Sequence, residues 1–330
     1  MANPKVFVTR IIAQEAIDLL EANAETTVWD GFFPPPQDVL SAKAKECDGL
    51  LTMVTDRIDK DLLTETAKLK VVSNMATGVD NIDVTEATRL GILVGRTPGV
   101  LDKTCAEFAF ALLLNAARHI TRGDDFVRKG EWKTWHPGTL QGPELYGSTL
   151  GLVGCGAIGL EVAIRAKAFG MKTLYFQRHR RIEEERKFGI EYADNLDALL
   201  QNSDFVSLHV PLTPDTYHLI SEKQFTLMKQ HALLINTSRG SVVDQGALYT
   251  ALSNNIIAGA AIDVTEAEPI PLNDPLLSLK NVTITPHIAS AGISARIQMA
   301  LMAAENLLAA LKGEQMPSCA NQELLESTKN

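Results

Sequence analysis

With 330 residues, 45% of them apolar and 22% charged, the chain can build two globular domains with ordinary hydrophobic cores. A net charge of −9 and a pI of about 5.3 exclude a broad nucleic-acid-binding surface, and they require that an anionic ligand be met by a local cluster of positive charge. The four cysteines, Cys47, Cys105, Cys155 and Cys319, form no CxxC and no metal-ligand spacing, so no metal centre or disulfide scaffold is expected.

The chain opens MANPKVFVTR, without a signal-peptide apolar region or twin arginines, and closes on STKN, which matches no common address. Its longest apolar stretch, 108–114, is too short to span a bilayer. With reduced cysteines, this gives the expectation of a cytoplasmic protein with no membrane partner. A strand is predicted at 5–9, then a helix at 13–23 with Ala16, Ile17, Leu19 and Leu20 as its apolar positions. A proline loop at 33–36, a helix at 38–46, a strand at 49–53, a helix at 59–68 and strands at 71–73 and 92–94 follow. This is a parallel-sheet pattern without a complete GxGxxG turn. A nearly all-apolar helix at 105–119 suits a core or a subunit interface. The second half adds strands from 150 and at 173–176, 205–210, 232–236, 258–263 and 282–285, then a long helix at 293–312.

The strand from Leu150 runs into Gly154-Cys155-Gly156-Ala157-Ile158-Gly159, a helical pattern and a second strand. That context turns a weak glycine pattern into a dinucleotide site. Gly154 permits the tight turn, Gly156 lets backbone approach a pyrophosphate, and Gly159 lets helix and strand pack closely. The helix N-terminus then offers N–H groups to phosphate. In an NAD site the second strand ends in an acidic residue that binds the ribose 2′-OH. Here it ends in Gln177-Arg178-His179-Arg180-Arg181, with no carboxylate before Glu183. Guanidinium groups suit a 2′-phosphate, so NADP is favoured over NAD; the alternative is a solvated basic loop.

Three further strand ends carry polar side chains: Asn236-Thr237-Ser238-Arg239-Gly240, Asp263-Val264-Thr265-Glu266-Ala267-Glu268-Pro269, and Thr285-Pro286-His287-Ile288-Ala289-Ser290. Taken singly these read as a surface arginine, a solvated acidic loop and one of seven histidines. Taken together they suit reduction of a 2-oxo acid. A carboxylate beside an imidazole favours the proton-donating form, and an arginine can bind a substrate carboxylate and polarise its carbonyl.

These motifs resemble the D-isomer-specific 2-hydroxyacid dehydrogenases over nearly the whole chain. The likeness also includes Asn74-Met75-Ala76-Thr77-Gly78-Val79-Asp80-Asn81-Ile82-Asp83, Thr97-Pro98-Gly99-Val100-Leu101 and His209-Val210-Pro211-Leu212-Thr213. Within the family the chain is most similar to the glyoxylate/hydroxypyruvate reductases, through Gly130-Glu131-Trp132-Lys133-Thr134-Trp135-His136-Pro137 and the basic run after the second strand. The resemblance implies an α/β fold of two Rossmann-like, doubly wound parallel-sheet domains. Residues 1–100 and 290–330 would form a discontinuous substrate domain, with the dinucleotide-binding domain at 101–289 inserted in it.

The resemblance further implies Arg239, Glu268 and His287 as the catalytic set, with His287 the proton donor and Glu268, not Glu266, its partner. Backbone N–H groups around Thr77, Gly78 and Val79 would hold the substrate carboxylate, and Met53 would border the pocket. Trp135 either reaches a neighbouring subunit's site or packs in the interface with Trp132; both readings suggest a homodimer. Cofactor contacts would come from Gly154, Gly156, Ala157, Ile158, Gly159, Arg178, His179, Arg180, Thr213, Thr237, Ser238, Ala289 and Thr104. Asp263 would bond the nicotinamide carboxamide. Phosphite dehydrogenases share the scaffold but carry lysine where this chain has Thr77, which argues against phosphite as substrate. The implied activity is NADPH-preferring reduction of glyoxylate or hydroxypyruvate. A co-repressor-like dinucleotide-sensing protein and a reductase of larger 2-keto sugar acids are the alternatives.

Overall fold

The computed structural model describes residues 3–327. The chain divides into two compact units, one holding the residues up to Leu101 and again from Ala291, the other Asp102–Ser290.

In the first unit, strands β1 (Lys5–Val8), β2 (Glu25–Val28), β3 (Gly49–Thr52), β4 (Val71–Asn74) and β5 (Leu93–Gly95) form a parallel sheet in the order β2-β1-β3-β4-β5. Helices α1 (Gln14–Glu21), α2 (Gln37–Glu46), α3 (Lys60–Thr64) and α4 (Val84–Arg89) alternate with the strands. The strand order reverses at β1 and β3, so the loops after them flank a switch point. The helix expected at 59–68 is shorter, because Asp59 caps it through Leu62 N at 3.0 Å and the turn closes at Glu65. Strand β2 is absent from the sequence reading for a physical reason: its half-exposed ETTV lies at a sheet edge and presents no apolar run.

The second unit begins with α5 (Asp102–Arg118) and α6 (Ile120–Arg128). Then come β6 (Thr149–Val153), α7 (Ala157–Ala168), β7 (Lys172–Phe176), α8 (Ile182–Phe188), β8 (Glu191–Tyr192), α9 (Leu196–Asn202), β9 (Phe205–Leu208) and α10 (Glu222–Leu227). Strand β10 (Leu233–Asn236), helix α11 (Gln245–Ser253), β11 (Gly259–Ile262) and β12 (Val282–Ile284) complete it. All seven strands are parallel, in the order β12-β11-β10-β9-β6-β7-β8. Strands β9, β10 and β11 are buried along their whole length, as a sheet covered on both faces demands. One face packs on α5 and α7 through Phe110, Leu113, Val162 and Leu152; the other packs Leu199, Phe225, Leu248 and Leu252 against Val206 and Leu234. Order reverses at β6 and β9, which puts their outgoing loops side by side.

The last long helix, α12 (Ile293–Lys312), returns to the first unit and packs its alanine-rich face on β3 and β4. Its fully buried Asn306 donates to Arg96 O at 2.8 Å and accepts from Ser318 N at 2.8 Å, which ties the end of β5 to the segment after the helix. A short helix, α13 (Glu323–Ser327), ends the described chain.

Candidate active site

The glycine turn leaves β6 and enters α7. Gly154 sits at φ +91°, and a Cβ there would stand 2.6 Å from His209 O, so both conformation and space demand glycine. A Cβ on Gly159 would press on Gly154 O at 2.5 Å, whereas at Gly156, the N-cap of α7, nothing lies within 4 Å. Open space before the N-terminus of a twelve-residue helix is where a pyrophosphate can approach. Ala157 and Ile158 are the first two residues of that helix. Cys155 N is held by Gln177 Oε1 at 3.0 Å, and burial pushes the Cys155 thiol up to about 11, so it stays protonated at neutral pH.

The basic run after β7 divides by partner. Arg180 forks onto Glu185 at 2.8 and 2.9 Å and lies over the Tyr192 ring. Its guanidinium, with help from the Tyr175 hydroxyl, holds the Glu185 carboxyl down at about 2. Arg181 pairs with Glu184 and donates to Cys155 O at 2.8 Å, which braces the glycine turn. Arg178 and His179 are exposed, and neither side chain has a protein partner among the described residues. Of the arginines read as phosphate ligands, Arg178 is the one not spent on a carboxylate of its own chain.

Three neighbouring strands deliver the remaining polar groups to the same edge of the sheet. After β10, Asn236 Oδ1 accepts from Ser238 N at 3.0 Å and Ser238 Oγ at 2.8 Å, while its amide donates to Arg239 O at 2.9 Å. This locks the 237–239 turn and leaves Arg239 extended, with Nη1 donating to Ser238 O at 2.8 Å. After β11, Asp263 is buried, and its carboxylate accepts from Thr285 Oγ1 at 2.6 Å, Ile288 N at 2.9 Å and Ala289 N at 2.7 Å. Its immediate work is therefore to wrap the 285–289 segment, and Oδ2 keeps a lone pair for one more donor. After β12, His287 adopts φ 55°, its backbone N–H shared between Asp263 O and Thr285 O. Its Nδ1 lies 2.7 Å from Glu268 Oε2. A carboxylate only accepts here, so Nδ1 carries a proton and Nε2 is the nitrogen left to face a ligand. Glu268 Oε1 also accepts from Thr265 N at 3.2 Å. Glu266 turns away from His287, to His218 at 2.8 Å.

His209, directly after β9, is half-buried, with its ring bonded to Ser207 Oγ at 2.9 Å; loss of solvent around the imidazole pushes it down to about 4. Thr213 is fixed in a turn with Thr216, and Thr104 lies in the first turn of α5. Thr237 Oγ1 is buried without a hydrogen-bond partner among the described residues. A buried orphan hydroxyl beside the strand ends, the opening at Gly156 and an unpaired Arg178 fit a bound dinucleotide.

In the first unit, Met53 follows β3 and Thr77, Gly78 and Val79 follow β4; all four are half-buried. Two asparagines join these loops. Asn74 accepts from Thr52 Oγ1 at 3.1 Å and donates to Gly78 O and Asn81 Oδ1, both at 3.0 Å. Asn81 donates to Met53 O at 3.0 Å and Asp56 O at 2.9 Å. Both amides lie inside the 74–83 motif, but nothing in its linear pattern marks them out for a role. Trp135 is 79% exposed on the arm after α6.

Two doubly wound sheets, a dinucleotide fingerprint and a histidine–carboxylate pair on the same strand-end edge define the class of nicotinamide-dinucleotide oxidoreductases. Residues 110–289 match the model of the D-isomer specific 2-hydroxyacid dehydrogenase NAD binding domain. The chain is 51% identical over 324 residues to a glyoxylate reductase of Korarchaeum cryptofilum, covering 98% of this chain and 97% of that one. It is also 51% identical over 329 residues to the glyoxylate reductase of Thermococcus litoralis, covering 98% and 99%. Among solved structures it is similar to a Thermus thermophilus protein, with a TM-score of 0.89 at 42% identity over 96% of this chain and 99% of that one. It is similar too to an NADPH-dependent glyoxylate/hydroxypyruvate reductase of Sinorhizobium meliloti solved with NADP and malonate, with a TM-score of 0.87 at 31% identity over 97% and 98%. The chain belongs to the D-isomer-specific 2-hydroxyacid dehydrogenase family.

Proposed function

We propose that the protein is a cytoplasmic, homodimeric reductase of glyoxylate and hydroxypyruvate, with NADPH preferred to NADH. The observation that carries this reading is the 2.7 Å pair of His287 Nδ1 and Glu268 Oε2, on the sheet edge that also bears the glycine turn. The relatives named above are enzymes, which favours catalysis over a co-repressor-like role. A bound nicotinamide supplies the hydride. Gly154, Gly156, Ala157, Ile158 and Gly159 receive the pyrophosphate, Thr213, Thr237, Ser238, Ala289 and Thr104 line the dinucleotide, and Asp263 offers its free lone pair to the carboxamide. Arg178, aided by His179 and Arg180, binds the 2′-phosphate.

In reduction, Nε2 of the protonated imidazole gives its proton to the carbonyl oxygen of the 2-oxo acid. Glu268 holds the ring by accepting from Nδ1 and balances the cation before transfer. Arg239 engages the substrate carboxylate and polarises the carbonyl. The N–H groups around Thr77, Gly78 and Val79 bind the carboxylate, and Met53 limits the size of the third substituent. In the reverse direction, neutral Nε2 is the base. Homodimer formation is supported by the uncovered apolar side chains Ile120, Val127, Trp132 and Trp135, and Trp135 is the residue offered to a partner's site. The cytoplasmic assignment is supported by four buried, unbridged cysteines.

Replacing His287 with alanine tests the core of the reading. Turnover of glyoxylate should fall by about a hundredfold or more, with NADPH affinity and the circular dichroism spectrum unchanged. A folded variant that keeps its rate sinks the assignment.

A further inference from the structure

We propose that His218 is a positioning residue for this reaction: its imidazole clasps Glu266 and so holds the loop that presents Glu268 to His287. The inference rests on the reading of His287 and Glu268 above. It assigns a task to a side chain that belongs to none of the groups touching substrate or cofactor.

His218 lies between β9 and α10, in the left-handed region at φ 50°. Its backbone N–H donates to Ser241 O at 2.8 Å and Ile220 N to Val242 O at 3.1 Å, so this segment runs alongside the residues that follow Arg239. The ring stacks on Tyr217, centroids 4.0 Å apart and planes 16° from parallel. Nε2 is 2.8 Å from Glu266 Oε1. The same oxygen accepts from Gln245 N at 3.0 Å, while Gln245 Oε1 accepts from Glu266 N at 3.0 Å. Glu266 is thus gripped by main chain and side chain at once, and Gln245 is itself fixed to Asp274 at 2.6 Å.

From Glu266 the constraint reaches the catalytic pair in two residues. Thr265 N donates to Glu268 Oε1 at 3.2 Å and Thr265 Oγ1 to Ala267 O at 2.7 Å, so the turn moves as one piece. On its other side this turn lies backbone to backbone on Gly240, where a Cβ would run into the carbonyl group of Thr265. The Arg239 turn and the Glu268 loop are therefore pressed together at Gly240 and latched at His218. Losing the His218 contact leaves Glu266 held by Gln245 alone and lets the loop shift about the Gly240 contact, and a displacement of about 1 Å at a catalytic pair costs about a hundredfold in rate at the extreme.

Asp244 completes the cluster, its Oδ2 3.7 Å from Nδ1 of His218 while Oδ1 caps α11 through Ala247 N at 2.9 Å. Three ligand-type atoms, one from each of His218, Asp244 and Glu266, lie within 4.8 Å of one another. The hydrogen bonds already employ Nε2 and Glu266 Oε1 on each other, which favours a latch over a metal site.

The test compares His218→Phe, which keeps the stack but removes the donor, with Glu266→Ala, Glu266→Gln and His287→Ala. His218→Phe and Glu266→Ala should each lower kcat about tenfold and displace the pH profile of kcat, with KM for NADPH within about twofold of wild type. Glu266→Gln retains the accepting oxygen and should restore most of the loss. If His287→Ala is inactive while folded His218→Phe or Glu266→Ala keeps the wild-type kcat and pH profile, the latch is overturned and the catalytic reading survives. If His287→Ala is fully active, both fall. Loss of wild-type activity in chelator, recovered by adding zinc, would replace the latch with a metal site.

Discussion

At the scale of single residues, neighbours of the same type do different work. Arg178, Arg180 and Arg181 follow one another within four positions, yet two of them are committed. Arg180 is bidentate on Glu185, and Arg181 is shared between Glu184 and the glycine turn. A guanidinium held by a carboxylate must break that pair, or form it less well, to serve a phosphate, whereas Arg178 has no such pair among the described residues. Arg178→Ala should therefore reduce the preference for NADPH over NADH, as a ratio of kcat/KM, by about tenfold or more, the value of one charge-assisted hydrogen bond. Arg180→Ala should change the ratio less. Steady-state kinetics with both cofactors decide this, and an Arg180 effect larger than that of Arg178 would show that the Glu185 fork opens when the nucleotide binds.

At the scale of elements, the turn after β6 rests on the end of β9, and the contact has a pH signature. The His209 carbonyl lies on the crowded side of Gly154, and desolvation pushes the imidazole of the same residue from 6.5 down to about 4. The unfolded chain therefore takes up a proton first as pH falls, and folding stability drops with acidification from about 6.5 until the folded value is reached near 4. The full loss is about 3 kcal/mol. Carboxylates whose values are depressed, such as Glu185 at about 2, lose their stabilisation only below 4.5, so between pH 7 and 4.5 the histidine contribution is the one that changes. Urea midpoints measured at pH 7 and pH 4.5 should differ clearly in the wild type and much less in His209→Asn. An equal slope in both would remove His209 as the cause.

The same elements show what a linear reading can reach. The glycine turn was legible because all of its chemistry lies within six consecutive residues flanked by strands. Arg239, Glu268 and His287 were legible as strand-end residues, and a shared resemblance named them; the parallel register of β10, β11 and β12 is what carries them to one edge. His218 was not legible. Its partner Glu266 is 48 residues away, and nothing in the local pattern separates it from six other histidines. The pairing of Arg180 and Arg181 with glutamates of α8 is not legible either, since it depends on where that helix begins. Strand β2 and helix α4 escaped because half-exposed short elements bury too little to leave an apolar signature.

At the scale of the whole molecule, α6 poses the remaining question of what covers it. The helix has nine residues and none is buried, although Ile120 and Val127 are apolar and 59% and 53% exposed. Trp132 and Trp135 follow on the same arm, at 60% and 79% exposure. A helix this short is marginal in water without a packed face, and two exposed tryptophans are the residues most enriched at the centre of interfaces. A second copy of the chain meets both demands, since a two-fold contact between identical arms covers each with the other. The double substitution Ile120→Asp with Val127→Asp would bury four carboxylates in that contact, two from each copy, at a cost of several kcal/mol. Sedimentation velocity at micromolar concentration should then report a dimer for the wild type and a monomer for the variant, with the circular dichroism spectrum retained. If Trp135 serves the partner's substrate site, the monomer also loses kcat/KM for the 2-oxo acid while its dinucleotide affinity stays. A wild-type protein that sediments as a monomer removes the arm as an interface, and Trp135 from the site with it.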